Sequence, residues 1–291
     1  MGETGKPKGT ANMQRTLVLI MVFIIGVSAY FFWGNNNIQI TEFDYANPKI
    51  PVEFDGYTIA QVSDLHNKMF GKNQEDILKK LRTAQPDIIV ITGDVIDRRR
   101  YDLDIALDFV KGAVKIAPVY YVTGNHEAWL ADFEITKTWL IERGAIFMDD
   151  SEVILSKDNA SIKLLGVSDP DFLTKEYAQG NDVTKMTKQL TKWSDDDGFK
   201  ILLSHRPELI HLYSENNMDL VFAGHAHGGQ VRIPLVGGVI APDQGFFPKY
   251  TSGSYVQDDT TMYVSRGLGN SLFPLRINDN PEIVVVKLIR K

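Results

Sequence analysis

Short apolar runs alternate with amphipathic stretches over most of this chain. Five runs are apolar enough to predict buried β-strands, namely residues 58–62, 87–92, 119–123, 200–203 and 220–223. Between them, apolar residues recur at helical spacing and predict helices over 73–84, 103–114, 133–143 and 183–193. Strands that alternate with helices are typical of parallel sheets covered by helices.

The pattern changes in the C-terminal third. Residues 260–265 and 282–289 predict further strands, with Gly- and Pro-rich loops around them and no helix. The simplest architecture for this order is an α/β fold in one domain. We therefore predict two sheets packed face to face with helices on their outer faces, an α/β/β/α sandwich.

The N-terminal region predicts a membrane-spanning helix. Residues 16–33 contain no charged residue, and 18 such positions approach the about 20 that a helix needs to cross a bilayer. Lys6, Lys8 and Arg15 precede this stretch, and the next charged residue after it is Glu42. By the positive-inside rule, residues 1–15 form a cytoplasmic tail and the rest of the chain is exported.

Two other interpretations of this stretch remain open. A buried core helix would usually be shorter and have a polar face. A cleaved signal peptide is possible because small residues at 27–29 could end in a cleavage site after Ala29. The apolar run continues through four aromatic residues at 30–33, which favours an uncleaved anchor over 16–33. We expect a polar connector over 34–50 and a globular domain over 51–291.

Composition narrows the classes of function. Hydrophobic residues make up 44% of the chain, which suffices for a packed core. The formal net charge of -6 argues against a nucleic-acid partner bound through its phosphates. The chain has no cysteine, so disulfides and thiolate metal sites are excluded.

Five short polar motifs follow the predicted strands, and they contain five of the six histidines. In chain order they are Asp64-Leu65-His66, Gly93-Asp94 with Asp97, Gly124-Asn125-His126-Glu127, Ser204-His205 and Gly224-His225-Ala226-His227. Open α/β sheets place their sites at the carboxyl ends of strands. Carboxylate oxygens and imidazole nitrogens bind Mn, Fe or Zn, and two such ions side by side are typical of phosphoester hydrolysis.

The ordered series resembles the motif set of the calcineurin-like metallophosphoesterase superfamily, over about residues 57–230. The strings at 224–230 and 264–269 are similar to the bacterial membrane-anchored branch called YkuE/YaeI-like. The resemblance implies two divalent ions, Mn, Fe or Zn, and attack on phosphorus by a metal-bound hydroxide.

The resemblance also implies individual roles. One metal would be bound by Asp64, His66 and His227, and the other by Asn125, His205 and His225. Asp94 would bridge both ions. His126 would bind neither metal and would act as general acid, or as a charge partner of the phosphoryl group.

Several further polar residues have weaker support. We expect Asp97 to orient a ligand rather than bind metal, while Glu127 could do the same or be solvated. Arg98 could bind a substrate phosphate or lie in a solvated loop, and Arg99 and Arg100 are expected to be solvated.

Other candidates are more distant from the motifs. Arg232, Arg266 and Arg276 are unranked candidates for phosphate binding, and His211 is expected to be structural. The aromatic-rich segment 243–250 could face lipid, cover the substrate or simply pack.

Together these features predict a membrane-anchored phosphoesterase acting outside the cytoplasm on a phosphodiester or pyrophosphate of a lipid or envelope polymer. One alternative is a glycolipid pyrophosphate hydrolase of the UDP-diacylglucosamine type, which needs a cytoplasmic site and conflicts with the N-terminal charges. Another is a non-catalytic metal-binding scaffold, which the intact motif set disfavours.

Overall fold

The computed structural model describes residues 8–173, 182–271 and 273–291. Its helices are α1 Lys8–Asn36, α2 Glu75–Ala84, α3 Leu103–Ala113, α4 Asn125–Ala128, α5 Phe133–Glu142, α6 Thr184–Ser194 and α7 Ile210–Glu215. The longer strands are β1 Gln39–Asn47, β2 Thr58–Val62, β3 Ile88–Thr92, β4 Val119–Val122, β5 Ala145–Phe147, β6 Ser151–Lys157, β7 Ala160–Gly166, β8 Lys200–Leu203 and β9 Leu220–Ala223. They are followed by β10 Arg232–Ile233, β11 Gly237–Gly238, β12 Ile240–Ala241, β13 Gly245–Phe246, β14 Gly253–Gln257, β15 Thr260–Val264 and β16 Glu282–Arg290.

Two six-stranded sheets organise the domain. The first has the strand order β1-β16-β2-β3-β4-β5, and the second has the order β14-β15-β9-β8-β7-β6. Strands β2 to β5 are parallel to one another, as are β7, β8, β9 and β15. The carboxyl ends of the parallel strands within each sheet therefore lie along one edge of that sheet.

Alternate side chains of the central strands enter two different apolar cores. Ile59 and Val90 of the first sheet share the middle core with Phe222 of the second sheet. Ile89 and Ile91 face the other way and pack in the core that includes α2, α3 and α5. The second sheet is covered by α6 and α7 through a third core. Strands that are buried on both faces have continuous apolar runs in the sequence. The predicted α/β/β/α sandwich is confirmed.

The predicted connector over 34–50 is wrong. Strand β1 occupies most of it and pairs in parallel with β16 over nine positions, from Gln39 opposite Glu282 to Asn47 opposite Arg290. This strand lies at the edge of the sheet and is only partly buried, and its exposed Glu42 and Asp44 alternate with Phe43 and Tyr45 at the two-residue period of a strand. The domain therefore begins with β1, and residues 37 and 38 alone separate it from α1.

Helix α1 extends beyond the uncharged stretch at both ends. Its segment Asn12–Asn36 is long and apolar enough to cross a membrane, with a mean hydropathy of 2.3 in its most apolar window and none of that window buried in the protein. The final turn, by contrast, packs on the domain. The side chain of Asn35 is hydrogen-bonded to both the backbone N–H and the backbone carbonyl of Arg276.

Candidate metal centre

The loops after β2, β3, β4, β8 and β9 bring the five sequence motifs together at the carboxyl-end edges of the two sheets. Backbone hydrogen bonds connect these loops, with the Asp64 N–H donating to the Gly93 carbonyl at 3.0 Å and the Gly224 N–H to the His205 carbonyl at 3.2 Å. All seven predicted metal ligands and His126 are buried. The motifs therefore form one enclosed site.

Four side chains form a first cluster. The Nε2 atoms of His66 and His227 lie 3.0 Å apart. Asp64 Oδ1 is 3.3 Å from His227 Nε2, and Asp94 Oδ2 is 3.5 Å from His66 Nε2. Because metal–nitrogen bonds are about 2.0–2.1 Å long, donor atoms at these separations can surround one ion.

A second cluster is centred on His205. Its Nε2 atom lies 3.0 Å from Asn125 Oδ1, 3.1 Å from His225 Nδ1 and 3.4 Å from Asp94 Oδ2. The other nitrogen of His205, Nδ1, donates to the Thr92 carbonyl at 2.7 Å, which orients the ring with Nε2 toward the second cluster. Asp94 Oδ2 therefore faces both clusters.

The electrostatics of the site favour a cation. Burial lowers the pKa of both His66 and His227, so both are neutral and present lone pairs. The pKa of His205 is raised to about 10, because Asp94 and Asp64 outweigh the opposing effect of burial. A field that binds a proton this strongly also favours a divalent cation, which competes with the proton for the same nitrogen.

Two buried nitrogens lack partners. The Nδ1 atoms of His66 and His227 have no hydrogen-bond partner among the described residues. The Nε2 atoms of the same rings face each other at 3.0 Å and have room for at most one proton between them, so at least one lone pair is directed into the first cluster. The oxygen and nitrogen donors, together with the absence of thiols, fit Mn, Fe or Zn bound as two ions.

The ligand loops have unusual backbone conformations. Five of the seven predicted ligands have positive φ angles, namely Asp64 at 52°, His66 at 48°, Asp94 at 54°, His225 at 66° and His227 at 47°. Positive φ is uncommon outside glycine, and such residues cluster at functional sites. The fold therefore maintains an unfavourable backbone to aim these side chains inward.

The glycines of the motifs allow the loops to approach closely. A Cβ atom at Gly93, where φ is 90°, would lie 2.5 Å from His205 Nδ1 and 2.7 Å from the Gly124 nitrogen. A Cβ atom at Gly224 would lie 2.0 Å from the Ser63 hydroxyl oxygen. Any larger residue would push the ligands apart.

Comparison with known proteins agrees with this geometry. The model of the calcineurin-like phosphoesterase family matches residues 57–229, more than half of the chain. The chain belongs to the calcineurin-like phosphoesterase family.

Relatives of this metallophosphoesterase are bacterial and vertebrate. It is 27% identical to the uncharacterized metallophosphoesterase YkuE of Bacillus subtilis, over 86% of this chain and 85% of YkuE. It is 24% identical to the phosphodiesterase YaeI of Escherichia coli, over 80% of this chain and 82% of YaeI. A transmembrane protein with metallophosphoesterase domain from Danio rerio is 26% identical, over 94% of this chain and 62% of that protein.

These relatives confirm the predicted family and its YkuE/YaeI-like branch. The protein is a metal-dependent phosphoric ester hydrolase of a family that depends on two metal ions.

His126 lies beside the first cluster. Its ring centroid is 4.5 Å from that of His66, and its backbone N–H donates to Asp94 Oδ1 at 2.8 Å. The Arg98 backbone N–H donates to His126 Nδ1 at 3.3 Å, so the proton of the neutral ring is on Nε2. Asp97 Oδ1 lies 3.5 Å from the same Nδ1, which would stabilise a positively charged ring. Asp97 thus contacts His126, not one of the predicted ligands.

Glu127 is fully buried and is not solvated. Its carboxylate accepts hydrogen bonds from the backbone N–H groups of Asp94, Ile96 and Gly124 at 2.8–3.1 Å, and from the Tyr121 hydroxyl at 2.8 Å. Burial, and next the charge of Asp94, raise the pKa of Glu127 to about 7, while these donors oppose the rise. Glu127 therefore holds the two loops that carry Asp94 and Asn125.

The arginine candidates differ in what they contact. Arg98 lies with its guanidinium 4.3 Å from the centroid of the Trp129 ring, and that ring is 5.3 Å from the ring of His126. Arg99 and Arg100 are not simply solvated, because both bind the carboxylate of Asp97.

The other candidates mainly support loops. Arg232 donates to the Gly228 carbonyl at 2.7 Å, Arg266 pairs with Glu282 at 2.9 Å, and the buried Arg276 pairs with Asp279 at 2.9 Å. His211 is exposed on α7, outside both clusters.

The sequence interpretation missed a buried guanidinium next to the second cluster. Arg206 is 1% exposed, and its Nε and Nη2 atoms donate to the two oxygens of Asp169 at 2.6 and 2.8 Å. Asp243 Oδ2 lies 2.8 Å from His225 Nε2 and also binds Arg206. A charged residue directly after His205 was a signal for Arg206. Asp169 and Asp243 lie in loops outside the motifs, and no local sequence pattern marks them as partners of Arg206.

We predict that Glu127→Gln destabilises the protein by about 1–3 kcal/mol, because an amide presents one acceptor oxygen where four buried donors converge. Thermal unfolding of the metal-free protein measures this loss. Glu134→Gln, an exposed change on α5, is the matched control. Equal melting temperatures for the two variants would show that the Glu127 carboxylate does not hold the loops.

Proposed function

We propose that this chain is a membrane-anchored dinuclear-metal phosphoesterase that hydrolyses a phosphodiester or related phosphate ester of lipid or cell-envelope material. The observation that carries the proposal is the position of Asp94 Oδ2, within 3.5 Å of His66 Nε2 and 3.4 Å of His205 Nε2. One carboxylate oxygen between two buried donor clusters is the arrangement that holds two ions side by side.

The proposed ligands follow the two clusters. Asp64, His66 and His227 would hold the first ion, and Asn125, His205 and His225 would hold the second. Asp94 would contribute to both. The donor atoms are oxygen and imidazole nitrogen, which suits Mn, Fe or Zn. Asp243 Oδ2 lies 2.8 Å from His225 Nε2 and thereby orients the ring with Nδ1 toward the second cluster.

When bound, two divalent ions stabilise the charge of a phosphoryl group and lower the pKa of water. His126 is the catalytic side chain that the protein itself contributes. With its proton on Nε2, it donates that proton to the oxygen of the departing group, and Asp97 stabilises the ring while it is charged. Arg98, close to His126, binds a non-bridging phosphate oxygen.

The membrane anchor in the proposal is α1. It is supported by the apolar segment Asn12–Asn36 and by the name of the Danio rerio relative, a transmembrane protein with a metallophosphoesterase domain. Lys6, Lys8 and Arg15 at its N-terminal side favour a cytoplasmic tail and a catalytic domain outside the cytoplasm.

We predict that Asp94→Asn weakens binding of both ions, whereas His66→Ala mainly weakens one. The reason is that Asp94 faces both clusters and His66 only the first. Elemental analysis of the purified variants measures the ions per chain, with His211→Ala as a control that should retain the parent content. Two tightly bound ions in Asp94→Asn would contradict the bridging role.

We predict that His126→Asn keeps its metals but slows hydrolysis of an alkyl phosphodiester by about 10²–10⁴-fold, the usual contribution of a general acid. A p-nitrophenyl ester should lose less, because p-nitrophenolate leaves without a proton. Steady-state rates on both substrates test whether His126 donates a proton, and His211→Asn is the control.

Three results would contradict the general-acid role of His126. Equal losses on both substrates would indicate stabilisation of phosphoryl charge in place of proton donation. Loss of metal from the variant would make His126 a ligand. Full parental activity on both esters would remove His126 from the mechanism.

For topology, we predict that protease added to intact cells or right-side-out vesicles digests the catalytic domain. A known external protein, degraded in the same preparation, is the control. Complete protection of the domain would place it in the cytoplasm and would favour the glycolipid pyrophosphate hydrolase, whose nucleotide-linked substrate is made there.

A further inference from the structure

Two short hairpins beside the metal centre expose an unusual amount of apolar surface. The paired hairpins, residues 232–246, comprise β10 with β11 and β12 with β13. Their segment 233–242 contains no charged residue. The four consecutive residues Ile233, Pro234, Leu235 and Val236 are all exposed, and Phe246 is 74% exposed. Such a run on a protein surface marks an interaction site.

The tip of the first hairpin is also strained. Leu235 is fully exposed and has a φ angle of 70°. A branched apolar residue is unfavourable in this conformation, where glycine or asparagine would serve a simple turn better. Leucine at this position therefore indicates a role for the side chain outside the protein.

Contacts place the base of this hairpin beside the membrane helix. The Tyr30 hydroxyl of α1 donates to Asn278 Oδ1 at 2.5 Å, and Asn278 Nδ2 donates to the Arg232 carbonyl at 3.2 Å. Tyr30 begins the aromatic group 30–33, and tyrosine and tryptophan mark the interface between lipid and water. The first hairpin consequently starts at the level of that interface.

The second hairpin reaches the metal centre. Its turn carries Asp243, which contacts His225 Nε2 at 2.8 Å. The two hairpins share Val239, whose N–H donates to the Val231 carbonyl at 2.9 Å and whose carbonyl accepts from the Phe247 N–H at 2.8 Å. One small unit thus extends from the side of α1 to a predicted metal ligand.

We propose that the paired hairpins are a second membrane contact, with residues 233–236 inserted in the interfacial layer of the bilayer that holds α1. This inference rests on the proposed function, in which α1 is an anchor. The occupant of the apolar surface is lipid, because Tyr30 sets the hairpin base at the lipid interface. The site then opens beside the headgroup layer, so its substrate is an amphiphilic phosphate ester that remains in the membrane during hydrolysis.

The test uses the full-length chain in phosphatidylcholine and phosphatidylglycerol vesicles. Because the chain has no cysteine, a single introduced cysteine can carry an environment-sensitive NBD label. Val236→Cys reports on the hairpin and Ile24→Cys on the middle of α1. Asn159→Cys is the control, because it is exposed in the turn between β6 and β7, at the opposite end of the sheet from the site.

With nitroxide-labelled lipids present, we expect quenching at position 236 to exceed that at 159 by at least about twofold, as for a segment in the interface. Adding Leu235→Asp should reduce the quenching at 236 and leave that at 24 unchanged. Aspartate tolerates positive φ better than leucine, so this variant should still fold.

Three results would overturn the inference. Equal weak quenching at 236 and 159, with strong quenching at 24, would leave the anchor intact and remove the hairpin contact. A blue-shifted but unquenched label at 236 would indicate a second copy of the chain as the partner. Absent quenching at 24 would remove the anchor and the hairpin contact together.

Hydrolysis of bis(p-nitrophenyl) phosphate with Mn, measured on the same labelled chains, tests the hydrolase separately. Activity together with a hairpin outside the lipid would contradict the inference alone. A hairpin in the lipid on a chain that binds no metal and hydrolyses nothing would contradict the proposed hydrolase alone.

Discussion

The buried carboxylate of Asp94 is the feature on which the site depends. One of its oxygens accepts from the His126 backbone, and the other faces His66 from the first sheet and His205 from the second. An anion without water needs opposite charge or donors on every side. The histidines, the backbone N–H groups and the proposed ions supply that environment. Asp94 is therefore the group around which the ligands from the two sheets converge.

The surrounding loops are shaped to serve that carboxylate. Glu127 fixes the Asp94 loop to the Asn125 loop through backbone hydrogen bonds, and Gly93 lets His205 approach without a clash. The positive φ angles of the ligand residues are the backbone strain that accompanies this close approach of the loops. Rigid strands beneath the loops make such conformations tolerable, because the three cores fix where each loop begins and ends.

Much of this arrangement could be predicted from the sequence, and the reason is burial. Strands such as β3 and β9 are covered on both faces, so their apolar runs are continuous, and each is followed directly by a polar motif. Edge strand β1 was missed because only alternate residues, such as Phe43 and Tyr45, face the core, so the strand has no continuous apolar run. The paired hairpins were missed because two-residue strands have no periodicity. Arg206 could be suspected from its position after His205. Its partners Asp169 and Asp243 could not, because long-range ion pairs between irregular loops leave no local pattern.

The junction between α1 and the domain has a consequence for how the enzyme meets its substrate. Asn35, in the final turn of α1, is 7% exposed and hydrogen-bonded into the domain, and only two residues separate the helix from β1. With α1 as the proposed anchor, a folded domain joined to it by two residues cannot tumble relative to the membrane plane. In the proposed arrangement it meets substrate by lateral diffusion in two dimensions. Its turnover would then follow the mole fraction of substrate among the lipids, and diluting the suspension with buffer would leave the rate per enzyme unchanged.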